Sequence, residues 1–461
     1  MQINTSRSLS ACLYLLLPLL LQFRHVFAIS KISAVGSKFF DEEGKQFFVK
    51  GIAYQLTPHD PLVDTEQCKR DASLMKKLGA NAIRVYHVDP DGDHVDCMKA
   101  FADAGIYLFV DLDDFPTQIE QNHPSWNASQ QKAFKATLDE FQRFDNTAGV
   151  FVGNEVLTMA NGSAAAPYIL SAARDIKEYR DSQNYRKIPV GYSAADIADL
   201  RPMLQNYLVC RSNETERLDF FALNAYEWCG PSTYKESGYG NLQAEADGYP
   251  VPIFFSEVGC NTHRPRDFQD LTAILGPEMS GTWSGAIVYE WIQELNDYGL
   301  ITYGNASKQD QEDAEKSGKA SLVLDGFSRR GTPTPVNPDF TNLQSRFETL
   351  TPTGVALSDY TKETGSITGP QCPGSTAGRW EVDPSSSLPS VGQQVATDTT
   401  TTAREKGDAS ATKTGSAAGA TSSLPNSAGQ TLGTPGSSSN NAFVLMLLAL
   451  FGLGGFIGWW L

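Results

Sequence analysis

Two glutamates each close a short apolar run, Gly149-Val-Phe-Val-Gly-Asn154-Glu155 and Pro252-Ile-Phe-Phe-Ser256-Glu257. Runs of this length, rich in Val, Ile and Phe, read as buried parallel strands. A carboxylate at the end of such a strand is costly unless it faces a site. Two of them at matching strand ends are the reagents that cleavage of a glycosidic bond requires. One carboxyl protonates the leaving oxygen while the other attacks the anomeric carbon, about 5–5.5 Å away in retaining enzymes. Asn154, beside Glu155, is placed to hydrogen-bond a sugar 2-hydroxyl. Either glutamate alone would read as a surface carboxylate; the matched pair is what carries chemistry.

A frame must hold that pair. Candidate strands are Phe47–Tyr54, Ala82–Tyr86, Tyr107–Leu112, Val150–Asn154, Ile188–Tyr192, Phe220–Ala225, Pro252–Ser256 and Ala286–Glu290. Helical segments fall between them. Asp64–Leu78 carries Cys68, Ala72, Met75 and Leu78 on one stripe and stops at Gly79; His94–Ala104 stops at Gly105. Gln130–Phe144 and Pro167–Arg180 follow the same pattern. Strands alternating with helices imply a parallel sheet. Eight such units in about 250 residues imply an α/β fold, a (β/α)8 TIM barrel. An open doubly wound sheet is the alternative, but no G-x-G-x-x-G follows the first strand. Before the barrel, Ile32–Phe40 and Phe47–Val49 flank Asp41-Glu-Glu-Gly44 and read as a hairpin at its entrance. Glu155 then ends the fourth strand and Glu257 the seventh, at the face where barrel enzymes carry their reacting groups.

The cysteines test this register. Cys68 and Cys97 fall in the first turns of consecutive helices, which are neighbours in a barrel. Cys229 lies three residues past Tyr226, and Cys260 three past Glu257. Pairs Cys68–Cys97 and Cys229–Cys260 are therefore expected. Elimination leaves Cys210–Cys372, fastening a C-terminal extension to the barrel. Cys12 leaves with a leader.

Residues 1–28 read as a secretory signal peptide, with Arg7, an apolar Ala11–Leu21 and a small-residue site at Val26-Phe27-Ala28. The barrel is expected over 29–340 and its tethered extension over 341–375. Residues 376–441 read as a linker, dominated from about Ser385 by Ser, Thr, Ala and Gly, which cannot bury a core. Residues 442–461 are an uncharged tail with no basic flank. That arrangement fits a glycosylphosphatidylinositol (GPI) signal better than a membrane span. Asn426-Ser427-Ala428 and Gly436-Ser437-Ser438 are candidate attachment sites. Sequons at Asn127, Asn161, Asn213 and Asn305 agree with secretion and disulfide formation. A net charge of −16 without a basic patch argues against nucleic acid and fits a neutral polysaccharide. His59, His87, His94, His123 and His263 show no zinc-type spacing, so no metal is expected. Carboxylate chemistry needs no cofactor.

A finer pattern surrounds the glutamates: Gly51-Ile-Ala-Tyr-Gln55, Ile83-Arg-Val-Tyr86, Asp111-Leu-Asp113, Val152-Gly-Asn-Glu155, Asn224-Ala-Tyr-Glu-Trp-Cys229, Phe255-Ser-Glu257-Val-Gly-Cys260 and Val288-Tyr-Glu-Trp291. Over about residues 30–375 it resembles glycoside hydrolase family 72, the fungal cell-wall β-1,3-glucanosyltransferases. The resemblance implies Glu155 as acid/base and Glu257 as nucleophile. It implies substrate contacts from Tyr86, Asn154, Asp196, Arg201 and Tyr289 and from the loop around Asp113–Gln121. Gln55, Asp111 and Tyr226 also match positions in the family's groove. Physical roles are expected alongside: Tyr289 steadying Glu257, Tyr226 stacking on a sugar, Arg201 pairing with Asp196, and Arg84 keeping Glu257 ionised.

The resemblance further implies donor and acceptor β-1,3-glucan chains as partners, with a GPI lipid joining a monomer to the outer face of the plasma membrane or the wall. Cys372 is the last cysteine, so the cysteine-rich carbohydrate-binding module of some family members is not expected. The same carboxylates would serve a secreted endo-β-1,3-glucanase. Transfer needs acceptor subsites that outcompete water, and the preference for it comes from the resemblance. A catalytically silent glucan-binding protein would not need both glutamates.

Overall fold

Short β-branched and aromatic runs, buried on both faces, have to close on themselves when helices cover only the outside. The structure, a computed structural model, describes residues 29–55, 59–159, 161–316, 323–363 and 368–393. The expected leader and everything past residue 393, including the expected GPI attachment region and tail, lie outside the described residues. A hairpin, β1 (Ser33–Val35) and β2 (Lys38–Phe40), comes first. The chain then alternates through β3 (Val49–Ala53), α1 (Thr65–Leu78), β4 (Ala82–Val85), α2 (Val95–Ala104), β5 (Tyr107–Asp111), α3 (Ala128–Phe141) and β6 (Thr147–Asn154). It continues through α4 (Ala166–Ser182), β7 (Val190–Ala195), α5 (Arg201–Tyr207), β8 (Phe220–Asn224), α6 (Tyr239–Ala246), β9 (Ile253–Val258), α7 (Asp270–Ile274) and β10 (Trp283–Val288). Strands β3 to β10 pair in parallel and in chain order, and β10 returns to β3 to close an eight-stranded barrel. The expected (β/α)8 fold is the one observed.

Local chemistry sets the helix ends. The Asp64 side chain accepts from the Gln67 amide to start α1, and left-handed Gly79 ends it. Asn127 starts α3 in a reciprocal capping box with Gln130. The lower barrel is filled by phenylalanines. Phe109 and Phe254 lie 5.1 Å apart, Phe151 and Phe220 5.2 Å, and Phe39 from the hairpin plugs the floor 5.9 Å from Phe220. Gly191 makes room for this layer, since a Cβ there would stand 2.3 Å from the Phe220 ring.

Three expectations need correction. The single hairpin across Asp41–Gly44 is two reversals. Ile32–Phe40 already folds back at Gly36, and the second turn pairs Phe40 with Gln46. The fifth and eighth barrel strands are Val190–Ala195 and Trp283–Val288, shifted from their apolar runs because pairing with neighbours sets their ends. The third correction is larger: ordered chain does not give way to linker at residue 376. The segment 368–393 lies against the barrel, with Trp380 fully buried and Val382 and Leu388 nearly so. Barrel side chains take its carbonyls: Arg211 those of Pro384 (3.2 Å) and Ser386 (3.1 Å), Ser171 (2.9 Å) and Arg174 (3.1 Å) that of Pro389. The Gly392 amide donates to Trp126 O at 2.7 Å. Its Ser/Pro composition is that of a linker, yet three spaced apolar side chains, these hydrogen bonds and the bond from Cys372 to Cys210 seat it.

The disulfides join Cys68–Cys97, Cys210–Cys372 and Cys229–Cys260. Trp380 packs edge-on against Tyr207 at 5.3 Å, beside the Cys210 anchor. Trp380→Ala is expected to lower unfolding stability by about 3 kcal/mol or more, read as a drop in denaturation midpoint with the three disulfides intact.

Candidate active site

The upper barrel interior replaces apolar packing with a buried polar layer centred on Arg84 of β4, which is fully buried. Its Nε and Nη2 bind both oxygens of Asp111 at 3.1 and 2.8 Å. Nη1 donates to Ser193 Oγ (3.1 Å) and Nη2 to Asn154 Oδ1 (3.0 Å). The guanidinium packs over the rings of Tyr86 and Phe151 at 4.2 and 4.4 Å. Burial alone would lower its pKa, but Asp111, with Tyr86 and Glu257, more than compensates and the group stays cationic. Ser193 continues the layer to Ser256 Oγ (2.8 Å) and Asn224 Oδ1 (3.0 Å). Asn224 Nδ2 in turn reaches Asn154 Oδ1 (3.1 Å) and Glu155 Oε1 (2.9 Å). One network thus spans β4 to β9.

The two glutamates sit on top of it in different surroundings. Glu257 lies in β9, and both its oxygens accept hydroxyls, from Tyr86 at 2.9 Å and Tyr226 at 2.8 Å. Arg84 Nη1 stands 3.6 Å from Oε1. Burial outweighs these donors and, together with the charge of Glu155, pushes Glu257 up to about 7. Both tyrosines are driven well above their ordinary range, first by burial, so they remain donors. Glu155 follows β6 with φ of 47°, a left-handed conformation that costs a non-glycine residue of order 1–3 kcal/mol. Burial raises its pKa too, and only the Asn224 amide and distant Arg84 oppose that. Two hydroxyls and a guanidinium thus face the Glu257 carboxylate, and a single neutral amide faces that of Glu155.

The other expected site residues divide. Tyr86, Asn154 and Tyr226 join the two glutamates. Tyr86 and Tyr226 bind Glu257 directly, the part expected of Tyr289. No hydrogen bond joins Tyr289 to Glu257; half-buried past β10, it packs against Tyr298 at 5.3 Å. The expected sugar contact of Asp111 is also corrected, because it is buried beneath Arg84, which takes both its oxygens. Asp113 lies partly covered above it, pushed up to about 7 by burial and by the charge of Asp111. Arg201 pairs with Asp196 as expected, and equally with Glu245; its side chain is almost covered by these two carboxylates. Gln55 is buried at the end of the first barrel strand.

Asn224, Ser193 and Ser256 were not singled out as functional. Their signal is a lone polar residue within an apolar strand. Among the described residues no group of His, Cys, Asp and Glu is placed to hold a metal. His94 instead bridges Asp60 (2.8 Å) and Glu140 (2.9 Å), and His87 stacks on Phe115.

The chain is similar to several known proteins. A family model described as Glucanosyltransferase matches residues 23–321. The 1,3-beta-glucanosyltransferase PGA5 of Candida albicans is 39% identical over 357 residues, 72% of this chain and 52% of that protein. The 1,3-beta-glucanosyltransferase GAS2 of Saccharomyces cerevisiae is 38% identical over 371 residues, 76% of this chain and 62% of its own length. The chain therefore spans between half and two thirds of these relatives. A structure of a mutant of the Saccharomyces cerevisiae protein, Gas2p, in complex with laminaritetraose and laminaripentaose, superposes with a TM-score of 0.66 at 37% identity. It covers 77% of this chain and 74% of that one.

The hydroxyls of Tyr86 and Tyr226 favour ionised Glu257, so removing one raises its pKa. As the expected nucleophile, Glu257 has to be ionised to attack. In Tyr226→Phe the acidic limb of the kcat/KM profile is expected to move to higher pH by about one unit, the worth of one charge-assisted hydrogen bond of about 1.5 kcal/mol. The pH–rate profiles of the two proteins check this.

Proposed function

The chain belongs to the glucanosyltransferase family, glycoside hydrolase family 72, and we propose that it is itself a retaining β-1,3-glucanosyltransferase. The carrying observation is the unequal surroundings of the two carboxyls. Glu257, with two hydroxyl donors and a guanidinium, attacks the anomeric carbon of an internal β-1,3 linkage. Glu155 gives its proton to the departing oxygen, and the fragment carrying the old reducing end leaves. A covalent glycosyl ester on Glu257 remains. Glu155, now a base, takes the proton from the 3-hydroxyl at the non-reducing end of a second glucan. That oxygen displaces Glu257, retaining configuration and lengthening the acceptor. Asn154 turns its carbonyl to Arg84 and Asn224, which leaves its NH2 as the donor for a substrate hydroxyl.

Donor and acceptor chains follow from the names of the relatives and from the oligosaccharides held by the Gas2p variant. We also propose export, GPI attachment to the outer membrane face and action as a monomer. Three disulfides support an oxidising compartment. Asn161, Asn213 and Asn305 are exposed for glycosylation. At Asn127 a glycan on Nδ2 would leave Oδ1 free to cap α3. No helix among the described residues is long and apolar enough to cross a membrane.

The test is to incubate the protein with a reduced β-1,3-gluco-oligosaccharide and size the products. Chains longer than the substrate are expected. Exclusively shorter ones would make the protein a hydrolase. Glu155→Gln is expected to lower the rate by about two to four orders of magnitude, and Glu257→Gln to abolish it.

A further inference from the structure

The loop Asp113–Gln121 ends in a side chain that faces protein. Gln121 Oε1 accepts from the backbone amides of Thr158 (2.8 Å) and Met159 (3.0 Å), and its Nε2 donates to Thr158 Oγ1 (3.3 Å). The bonded stretch begins three residues after Glu155. Its near end is fixed by β7: Glu155 N donates to Ser193 O at 2.8 Å, and Leu157 N to the Tyr192 hydroxyl at 3.4 Å. Val156 and Leu157 are buried, whereas Met159 is 45% exposed. At the far end Met159 O accepts from the Gly162 amide (2.9 Å), and Gln121 adds three side-chain hydrogen bonds. Gly162 is built around the same group. A Cβ there would stand 2.0 Å from Gln121 Oε1 and 2.6 Å from its Cδ, so a side chain at 162 would expel the amide.

These contacts bear on Glu155 because of its backbone. Left-handed φ in a glutamate persists only where the surroundings over-determine it. The segment from Glu155 to Met159 is clamped at both ends, by β7 and by Gln121. We propose that Gln121 is a positioning residue: by fixing the Thr158–Met159 backbone it holds the Glu155 carboxyl in line with the leaving oxygen. The inference rests on the reading of Glu155 as acid/base and adds a residue that acts only through it.

The test separates proton delivery from the rest of the reaction. Wild type, Gln121→Ala, Gln121→Glu and Gly162→Ala are compared on two donors. One is a β-1,3-gluco-oligosaccharide, whose leaving oxygen needs a proton. The other is the same oligosaccharide as its dinitrophenyl glycoside, whose leaving group needs none. On the natural donor, Gln121→Ala is expected to lower kcat about 10- to 100-fold with KM little changed. The first-turnover burst of dinitrophenolate should stay within about twofold of wild type, since it bypasses the acid. Gln121→Glu, which keeps an acceptor for both amides, should recover most of the loss. Gly162→Ala, which displaces the native amide, should reproduce Gln121→Ala. Equal losses on both donors, or no loss on either, would overturn the inference. Wild type that neither cleaves nor elongates β-1,3-glucan would overturn the functional reading itself.

Discussion

A full positive charge inside a barrel is the constraint around which this structure is arranged. Removing a guanidinium from water costs several kcal/mol after relaxation, and only close, well-oriented partners offset it. Arg84 meets Asp111 through two parallel bonds, and its remaining donors go to Ser193 and Asn154. Each partner comes from a different strand. A change in strand order or register would therefore leave a charge or an amide stranded. The phenylalanine layer below supplies apolar area and the ring on which the guanidinium rests, but it is tolerant of detail. The polar layer above is not, and it couples barrel closure to the placement of both glutamates.

That coupling gives two chemically identical side chains different surroundings. Glu155 and Glu257 are both buried and both raised in pKa. Their difference lies in what faces each carboxylate. Glu257 collects donors from Tyr86 just past β4, from Tyr226 after β8, and from Arg84 within β4, while Glu155 receives one neutral amide. The disulfide Cys229–Cys260 ties the segments that follow Tyr226 and Glu257, with Cα atoms 5.2 Å apart. It keeps the Tyr226 hydroxyl over the carboxylate it serves.

The parts legible in the sequence were those carried by period and offset. Glu155 and Glu257 announced themselves as charges closing apolar runs, and the cysteine offsets past two strand ends yielded pairings the structure reproduces. Side-chain direction within the barrel was less accessible. Tyr289 and Tyr226 both follow strands beside Glu257, and only the twist and bulges between β8, β9 and β10 decide that Tyr226 reaches it. Asn224 and Ser193 look like ordinary interruptions of strand composition until Arg84 gives them a partner. Asp111 enters as a groove residue through the resemblance, and its motif does not reveal that Arg84, on the neighbouring strand, takes both its oxygens. Composition also concealed the strap of residues 368–393, whose burial rests on Trp380, Val382 and Leu388 among residues typical of a tether.

The path of that strap has a topographic consequence. In a parallel barrel the helices begin at the end where the strands finish, and Trp126 lies just before α3 begins. The hydrogen bond from Gly392 to Trp126 therefore brings the last described stretch to the rim that bears Glu155 and Glu257, while the N-terminal hairpin seals the opposite end. The strap thus adds its backbone to the edge of that rim beside the start of α3, so a change at Trp380, which seats it, reaches the border of the mouth without touching either glutamate.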